Sequence, residues 1–338
     1  MPRRLHVTST LALLLFVATG LHAQRAQPGS GYDNAPRMTL LHTANVYVSA
    51  DGTTSPITTI TPGHEVVVQS INGPWVDVFL ATDQPEDSDP DSKPIFEEPQ
   101  QNHGISSGWI RNVGLVGPKT EHGDVILFGA AEEYEAQAMQ PHPPKEAAAE
   151  AHRLYERVVD YFPDSPLVAE AMFRGADIRW QLERADVMTL PSAHEQDAYL
   201  RPQIYERELR DVMKYFPNTP QAARAAFDLL DNKVCGDWQG LPKCPEMETQ
   251  LYLKYADQYR GGPKAAEALY DAVYRQAALV TIYQSGDNAK AADGAKRNCQ
   301  AIADRLQKEY PLSDFAARAQ ALAWKVAQGI PVLGSDRS

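Results

Sequence analysis

The sequence predicts a multidomain β + α chain in which a small β-barrel is followed by an α-helical solenoid. Three observations lead to this fold class. Short runs with a period of two, rich in β-branched and aromatic residues, extend to about residue 118. From about residue 121 they give way to alanine-rich segments in which apolar residues recur every three or four positions. Within those segments the phrase YFPDSPLVAEA at 161–171 returns as YFPNTPQAARA at 215–225.

The N-terminus predicts a cleavable signal peptide at 1–23. Arg3 and Arg4 supply a positive n-region, and 11–18 is a short apolar core followed by small residues. This core is too short to cross a bilayer, and an uncleaved anchor is the alternative. We therefore expect a secreted or periplasmic protein with a flexible segment at 24–37 and no transmembrane segment in the mature chain.

Composition limits the classes of partner. A chain of 338 residues exceeds the usual size of one domain, and its 43% hydrophobic residues suffice for a real core. The net charge of −12 becomes −14 when Arg3 and Arg4 leave with the signal peptide. Such an acidic protein is not expected to bind nucleic acid or anionic lipid as its main partner.

The cysteines predict one disulfide. Cys235 and Cys244 flank the loop GDWQGLPK, and an oxidising compartment favours their pairing. A zinc site is the alternative, although no histidine or further cysteine pair lies near them. Cys299 shares a helical face with Ala295 and Ile302, which predicts a buried small apolar side chain.

The region 38–118 predicts five short strands. The runs are NVYVSADG, SPITTI, EVVVQSI, WVDVFLA and GWIRNVGLV, separated by glycine and proline turns. In the fourth run Val76, Val78 and Leu80 share one face. Five short strands in so compact a span predict a small barrel.

The spaced glycines and tryptophans of these runs resemble bacterial SH3-like domains, which are exported modules that accompany cell-wall enzymes or binding proteins. The resemblance implies an SH3-like β-barrel at 38–118 and peptidoglycan as a possible partner. Tyr47 stands where an arginine is common in that family. The residues that carry the resemblance are Asn45-Val46, Gly63, Val66-Val67-Val68, Gly73, Trp75, Val78 and Gly108-Trp109-Ile110.

Three aromatic residues of this barrel are candidate ligand-binding residues. Tyr47, Trp75 and Trp109 would line a groove that stacks on sugar rings or prolines. The alternative is that both tryptophans fill the core, because so small a barrel needs its large side chains inside.

An acidic, proline-rich insert at 82–106 interrupts the last strands. It holds seven acidic residues and one lysine, which predicts a mobile loop. Part of it matches a calcium loop, but Ser92 stands where the sharp turn needs glycine and no helices flank the match. A solvated loop is therefore the preferred interpretation. The four acidic residues of the match are Asp87, Asp89, Asp91 and Glu98.

No catalytic residue, metal site or cofactor is predicted. Ser106 lies in a G-x-S-x-G match, but a nucleophile elbow needs a strand before it and a helix after it, and here a strand follows. His64-Glu65 lacks the second histidine of a zinc-protease helix. The sequence contains neither a phosphate-binding loop nor a dinucleotide fingerprint.

The helical region begins with a connecting helix or linker at 119–144. After it, Leu154, Val158 and Tyr161 form one apolar stripe, which predicts a helix packed on that face. Residues 331–338 are expected to form a C-terminal tail.

The repeated phrase predicts the end of one helix and the start of the next. Pro163 prevents the first helix from continuing. Ser165 is suited to cap the second helix, and Pro166 to stand at its first position. Thr219 and Pro220 occupy the same places in the second copy.

Weaker copies of the phrase lie at 259–268 and 309–319. Matching Ala169, Ala223, Ala266 and Ala317 gives intervals of 54, 43 and 51 residues. A helical hairpin of this kind cannot bury its apolar face alone, so the copies must stack.

The phrase is similar to the joints of the tetratricopeptide-repeat (TPR) superfamily, in particular its exported members in bacterial envelope assembly. The resemblance implies TPR-like repeats at 145–330, with the extra length of each unit at 185–203 and 235–244. The alternatives are another helical solenoid or an ordinary helix bundle.

Together these features predict a non-enzymatic exported scaffold. Its helical repeats would hold a protein or peptide, and its barrel would tether it to the cell wall or to a partner. One alternative is a cell-wall hydrolase whose site no motif encodes, and another is a structural subunit that associates with itself.

Overall fold

The computed structural model describes residues 35–80, 82–83 and 106–334. The predicted signal peptide, most of the segment 24–37 and most of the acidic insert, including the calcium-loop match, lie outside the described residues. Across the described ranges, no helix combines the length and the apolar character needed to span a membrane. The described residues belong to one compact unit.

The N-terminal part is an antiparallel β structure, which confirms the coarse fold expected there. Its main sheet has the strand order β6-β5-β4-β1-β7, and β2 pairs with β3 beside it. Strand β1 was not among the five runs predicted, because Arg37–Leu40 is short and lacks a period of two. The strands of the described residues are β1 Arg37–Leu40, β2 Ala44–Val46, β3 Thr58–Ile60, β4 Glu65–Asn72, β5 Trp75–Phe79, β6 Ser107–Arg111 and β7 Leu115–Val116.

One face of the sheet forms its apolar core. Val76, Val78 and Leu80 are buried there, as their spacing predicted, together with Ile110 of β6. The hairpin from β4 to β5 turns at Gly73, whose φ of 56° lies in the left-handed region that glycine tolerates. Because side chains alternate along a strand, the residues between the core positions point to the opposite face.

The C-terminal part is helical. The predicted linker at 119–144 contains α1, whose Leu127 and Ala131 are buried against α2. The apolar stripe predicted on α2 is buried in the same core. The α-helices of the described residues are α1 Gly123–Ala138, α2 Ala147–Tyr161, α3 Val168–Val187, α4 Arg207–Tyr215, α5 Pro220–Asp228, α6 Lys243–Gln258, α7 Ala265–Ser285, α8 Ala289–Glu309 and α9 Asp314–Ala327.

The four copies of the phrase have one backbone geometry. Each places an aromatic residue at the end of a helix, with φ between −111° and −134° and ψ between 39° and 56°, and its N–H bonds the carbonyl four residues earlier. The chain then turns into the next helix. We call the pairs α2–α3, α4–α5, α6–α7 and α8–α9 units 1 to 4. The four helix-ending aromatics are Phe162, Phe216, Tyr259 and Tyr310.

The helix starts follow the prediction in one copy and depart from it in another. Thr219 caps α5 by accepting a hydrogen bond from a backbone N–H three residues on, and Pro220 is the first residue of that helix. The prediction for Ser165 is wrong, because α3 begins only at Val168. The Ser165 hydroxyl donates to Asp124 of α1 at 2.6 Å and accepts the Leu167 backbone N–H at 3.2 Å, so it fixes the turn before α3 and joins this turn to α1.

Helix contacts in the units depend on alanine. The alanine nine residues after each helix-ending aromatic is fully buried. Of the alanines matched from the sequence, Ala223 is buried, Ala169 and Ala266 are half-buried and Ala317 is exposed. In three of the four copies the matched alanine is therefore not fully buried. The position of close helix contact lies two residues later. The fully buried alanines are Ala171, Ala225, Ala268 and Ala319.

The connections between units contain the extra length and the disulfide. The segment between α3 and α4 and the segment between α5 and α6 contain the additional residues. Cys235 and Cys244 are joined in the second segment, with their Cα atoms 6.0 Å apart. Cys299 is buried in the core of the last units, and burial raises the pKa of its thiol to about 12.

Candidate functional site

The outer face of the sheet gathers the aromatic residues singled out in the sequence. In the β5–β6 pair, Trp75 lies opposite Arg111 and Asp77 opposite Trp109. All four alternate with core residues and therefore share the outer face. Tyr47 joins this face from the neighbouring strand, because its backbone exchanges two hydrogen bonds of 2.8 Å with Trp109.

The side chains on this face form an aromatic patch, which we define as Tyr47, Trp75, Trp109 and Arg111. The rings of Tyr47 and Trp75 meet edge to face at 5.4 Å, and the Arg111 guanidinium lies 3.9 Å from the Trp75 ring centre. Trp75 is only 6% exposed, so these neighbours cover its ring. Tyr47 and Trp109 are half-buried. A flat ligand would therefore meet chiefly Tyr47, Trp109 and the Arg111 cation.

A charged network joins the sheet to α2. The Asp83 carboxylate accepts a hydrogen bond from the Glu65 backbone N–H at 3.0 Å, lies 2.8 Å from His64 Nδ1 and pairs with Arg157 of α2. Burial raises the pKa of Asp83, but the His64 hydrogen bond and the Arg157 charge outweigh it and hold the pKa below its ordinary value. The Tyr161 hydroxyl donates to the Glu65 carboxylate at 3.0 Å. The expectation of a mobile loop at 82–106 therefore does not hold for Asp83.

A second charged cluster joins α2, α3 and α4. His152 Nε2 lies 3.2 Å from Glu208, and Arg179 donates to the same carboxylate at 3.0 Å. Burial lowers the pKa of His152, but Glu156 and Glu208 outweigh it and raise the pKa above its ordinary value. Since each charge in this cluster has an opposite partner, the arrangement stabilises the helix contacts.

Carboxylates with less compensation meet where three successive units contact one another. Asp177 of α3, Asp228 of α5 and Glu267 of α7 form what we call the acidic cluster. Burial, and then the charge of Asp177, raise the pKa of Asp228 to about 7. Burial also raises the pKa of Asp177. Lys264 lies near these groups but already donates to Glu267 at 2.7 Å.

This arrangement defines what the acidic cluster can do. The charges of Lys264 and Arg224 lower the pKa of Asp228, but burial and Asp177 outweigh them and leave it at about 7. A cationic group placed beside Asp228 would be stabilised by it and would lower its pKa. A carboxyl with a pKa near 7 is also able to donate a proton in catalysis. Strongly shifted carboxyls of this kind are enriched at functional sites.

A ladder of cation–aromatic contacts links the units, and sequence reasoning missed it. An aromatic residue lies eleven positions after the helix-ending aromatic in three units, and a cation of the following unit lies over it. The recurring aromatic was visible in the sequence two residues after the end of three copies of the phrase, but its cation lies in the next unit. The pairs and their distances are Phe173 with Arg224 at 4.0 Å, Phe227 with Lys264 at 5.2 Å and Tyr270 with Arg318 at 4.3 Å.

The described residues offer little for metal or nucleophile chemistry. Within them, no three histidine, cysteine or acidic side chains gather in a way that would hold a metal ion. Ser106 is exposed, and its carbonyl accepts the Leu80 N–H at 2.7 Å at the start of a strand, not of a helix.

The chain matches no protein-family model, and no curated protein matches it significantly. The resemblances to SH3-like domains and to TPR repeats therefore rest on the residues and the geometry of this chain alone.

Proposed function

We propose that the protein is an exported, non-enzymatic scaffold whose helical units form a TPR-like solenoid and hold a basic segment of a partner protein. The observation that carries this proposal is the gathering of Asp177, Asp228 and Glu267 from three successive units, where burial and Asp177 raise the pKa of Asp228. A lysine or arginine of the partner would add a cation beside Asp228 to those of Lys264 and Arg224, and the net charge of −12 would attract such a segment.

The repeated geometry of the units supports the solenoid. An aromatic residue ends the first helix of each unit, and an alanine is buried nine residues later in each. The cation–aromatic ladder joins each unit to the next. Stacked units of this kind form continuous surfaces that run across several helices, and solenoids bind extended segments on such surfaces.

We propose that the N-terminal sheet is an SH3-like barrel that tethers the scaffold through the aromatic patch. Tyr47 and Trp109 offer half-buried rings for stacking on a sugar or a proline, and Arg111 beside them can donate hydrogen bonds. Peptidoglycan glycan and proline-containing peptides both have the required chemistry.

Fluorescence anisotropy tests the helical site. The full chain without its predicted signal peptide is titrated into a labelled lysine-rich peptide and into an acidic peptide of the same length, at about 0.15 M salt. We expect the basic peptide alone to bind, with affinity that rises as pH is raised through 7 because Asp228 ionises. Asp228→Asn should weaken binding by about tenfold, which is one lost charge pair.

Asp293→Asn on the exposed face of α8 is the matched control. If both variants weaken binding equally, the interaction reflects overall charge and the proposed site is wrong. If the basic peptide does not bind the unchanged protein, the proposed function itself is wrong.

The hydrolase alternative has one specific observation in its favour. Asp228, with its pKa of about 7, and the neighbouring Asp177 are a carboxyl pair of the kind that glycoside hydrolysis uses. The test is whether the unchanged protein releases soluble fragments from purified peptidoglycan. Release that is lost in both Asp228→Asn and Asp177→Asn would establish the hydrolase alternative. No release by the unchanged protein would reject it.

A further inference from the structure

In units 1 to 3, one stripe of the second helix faces the following unit. Its positions come 7, 11 and 14 residues after the helix-ending aromatic. In unit 2 the last residue of this stripe, Leu230, lies just after the end of α5. Phe173 and Ala176 share a core with Ala225 of unit 2, and Leu230 shares one with Ala268 of unit 3. The following unit therefore covers this stripe. Its residues are Ala169, Phe173 and Ala176 in unit 1, Ala223, Phe227 and Leu230 in unit 2, and Ala266, Tyr270 and Val273 in unit 3.

Among the described residues, no further unit covers the same stripe in unit 4. The equivalent residues of α9 are Ala317, Ala321 and Trp324, and all three are exposed. Trp324 is 61% exposed, at the position where the earlier units bury an alanine, a leucine and a valine. The opposite side of α9 is packed in the core, so this exposure is not fraying of the helix. The last repeat of a solenoid normally carries a polar outer face, whereas this stripe of α9 is apolar, with the exposed Arg318 and Lys325 beside it.

The other end of the helical layer is already covered. Val116 and Leu41 of the sheet region pack with Leu127 and Tyr134 of α1, and the Tyr134 hydroxyl donates to the Leu41 carbonyl at 3.3 Å. A second copy stacked head to tail on α9 would need this face of α1. Because the sheet region covers that face of α1, two copies can continue the stack by packing α9 of one against α9 of the other.

The stripe on α9 is self-complementary. When two copies pair antiparallel about Ala321, the position of Arg318 in one lies opposite Trp324 of the other, while the Arg318 guanidinium also lies over Tyr270 of its own chain. The small Ala321 allows close approach of the helices at the axis. Leu312, which is 98% exposed just before α9, then lies opposite Ile330, which is exposed just after it.

We propose that the stripe of α9 is a homodimer interface, in which two copies of this chain pack α9 against α9 about a two-fold axis at Ala321. The contact continues the interface that joins the units inside the chain, and its two-fold symmetry closes it at two copies. It does not depend on the peptide-binding role of the acidic cluster.

Sedimentation equilibrium of the full chain without its predicted signal peptide, at up to about 100 μM, tests the dimer. We expect a dimer, and we expect Trp324→Glu to raise its dissociation constant about 30-fold or more, as removal of a central tryptophan does. Met139→Glu is the control, because Met139 is 80% exposed but lies at the end of α1. A monomer at every concentration, or a dimer that Trp324→Glu leaves unchanged, would overturn the proposal.

A cysteine on the axis tests the geometry. Under mild oxidation Ala321→Cys should form a covalent dimer, because the two axis residues of a two-fold pair meet each other. Cys235 and Cys244 are joined and Cys299 is buried, so none of the native cysteines competes. Ala327→Cys, exposed on the flank of α9, should not cross-link, and adding Trp324→Glu to Ala321→Cys should abolish the cross-link. Equal cross-linking at 321 and 327, or none at 321, would contradict the proposed axis.

Discussion

Asp83 and Asp228 are both carboxylates withdrawn from water, yet their pKa values move in opposite directions. At the contact of the sheet with α2, His64 and Arg157 hold the pKa of Asp83 below its ordinary value against the effect of burial. In the helical units, burial and Asp177 raise the pKa of Asp228 to about 7. The first contact is built for stability. The contact around Asp228 is locally destabilising at neutral pH, and a cationic ligand would relieve it. Such local destabilisation is common where function and stability compete.

The largest effect is expected at the contact of the sheet with α2. Arg157→Ala leaves Asp83 in a half-buried site with His64 as its remaining side-chain partner, and should lower the free energy of unfolding by about 3 kcal/mol. Urea unfolding followed by circular dichroism measures it. The loss should shrink at acid pH, because the pKa of Asp83 is depressed and its stabilisation disappears as pH falls through that pKa.

Arg210→Ala is the control for this change, since Arg210 pairs with Glu206 on an exposed helix surface. It should lower the free energy of unfolding by less than about 1 kcal/mol. Comparable losses in the two variants would show that the Asp83 network does not hold the sheet to the helices.

The joints between helices should respond to volume and not to pH. Ala225→Leu adds a large side chain at a fully buried position and should lower the free energy of unfolding by about 1–3 kcal/mol, equally at acid and neutral pH. Ala301→Leu, at an exposed position of α8, should leave stability almost unchanged. A pH-dependent loss in Ala225→Leu would mean that the joint relies on charge, against the contrast drawn with Asp83.

Asp228→Asn should stabilise the protein at high pH. The folded chain holds the Asp228 proton more tightly than the unfolded chain does, so stability falls as pH rises from the ordinary carboxyl pKa to about 7. Asparagine removes that fall. After allowance for solvent near the site, we expect a gain of about 1–2 kcal/mol in the free energy of unfolding at pH above 7 and none near pH 4.

Denaturant midpoints across this pH range measure the effect of Asp228→Asn, with Asp293→Asn as the exposed control. A loss of stability in Asp228→Asn at high pH would show that the carboxylate is compensated, as Asp83 is, and would remove the main support for a binding site there.

The smallest effect on stability is expected at the start of α5, which agrees with the prediction from the sequence. Thr219→Ala removes the hydroxyl that caps α5 and should lower the free energy of unfolding by about 1 kcal/mol. Thr189→Ala, whose hydroxyl bonds only a nearby carbonyl in an exposed loop, should have a smaller effect. If thermal unfolding shows equal losses, the Thr219 cap contributes nothing particular to the unit.

The sequence by itself determined the features that depend on neighbours along the chain. Strands precede helices because the spacing of apolar residues changes from two to three or four. Val76 and Val78 face the core for the same reason, and Cys299 lies on the buried side of its helix. The Pro and Thr of the second phrase fixed the start of α5, because turn chemistry acts over a few residues.

Only the tertiary structure decided the features that depend on distant partners. Asp83 belongs to the network because Arg157, 74 residues away, reaches it, and no local pattern in an acidic segment separates it from its solvated neighbours. The pKa of Asp228 depends on Asp177 in another unit. Leu230 is buried and Trp324 exposed at equivalent positions, 14 residues after the helix-ending aromatic, because burial there depends on whether another unit follows. Packing between elements is not encoded in the period of any one helix.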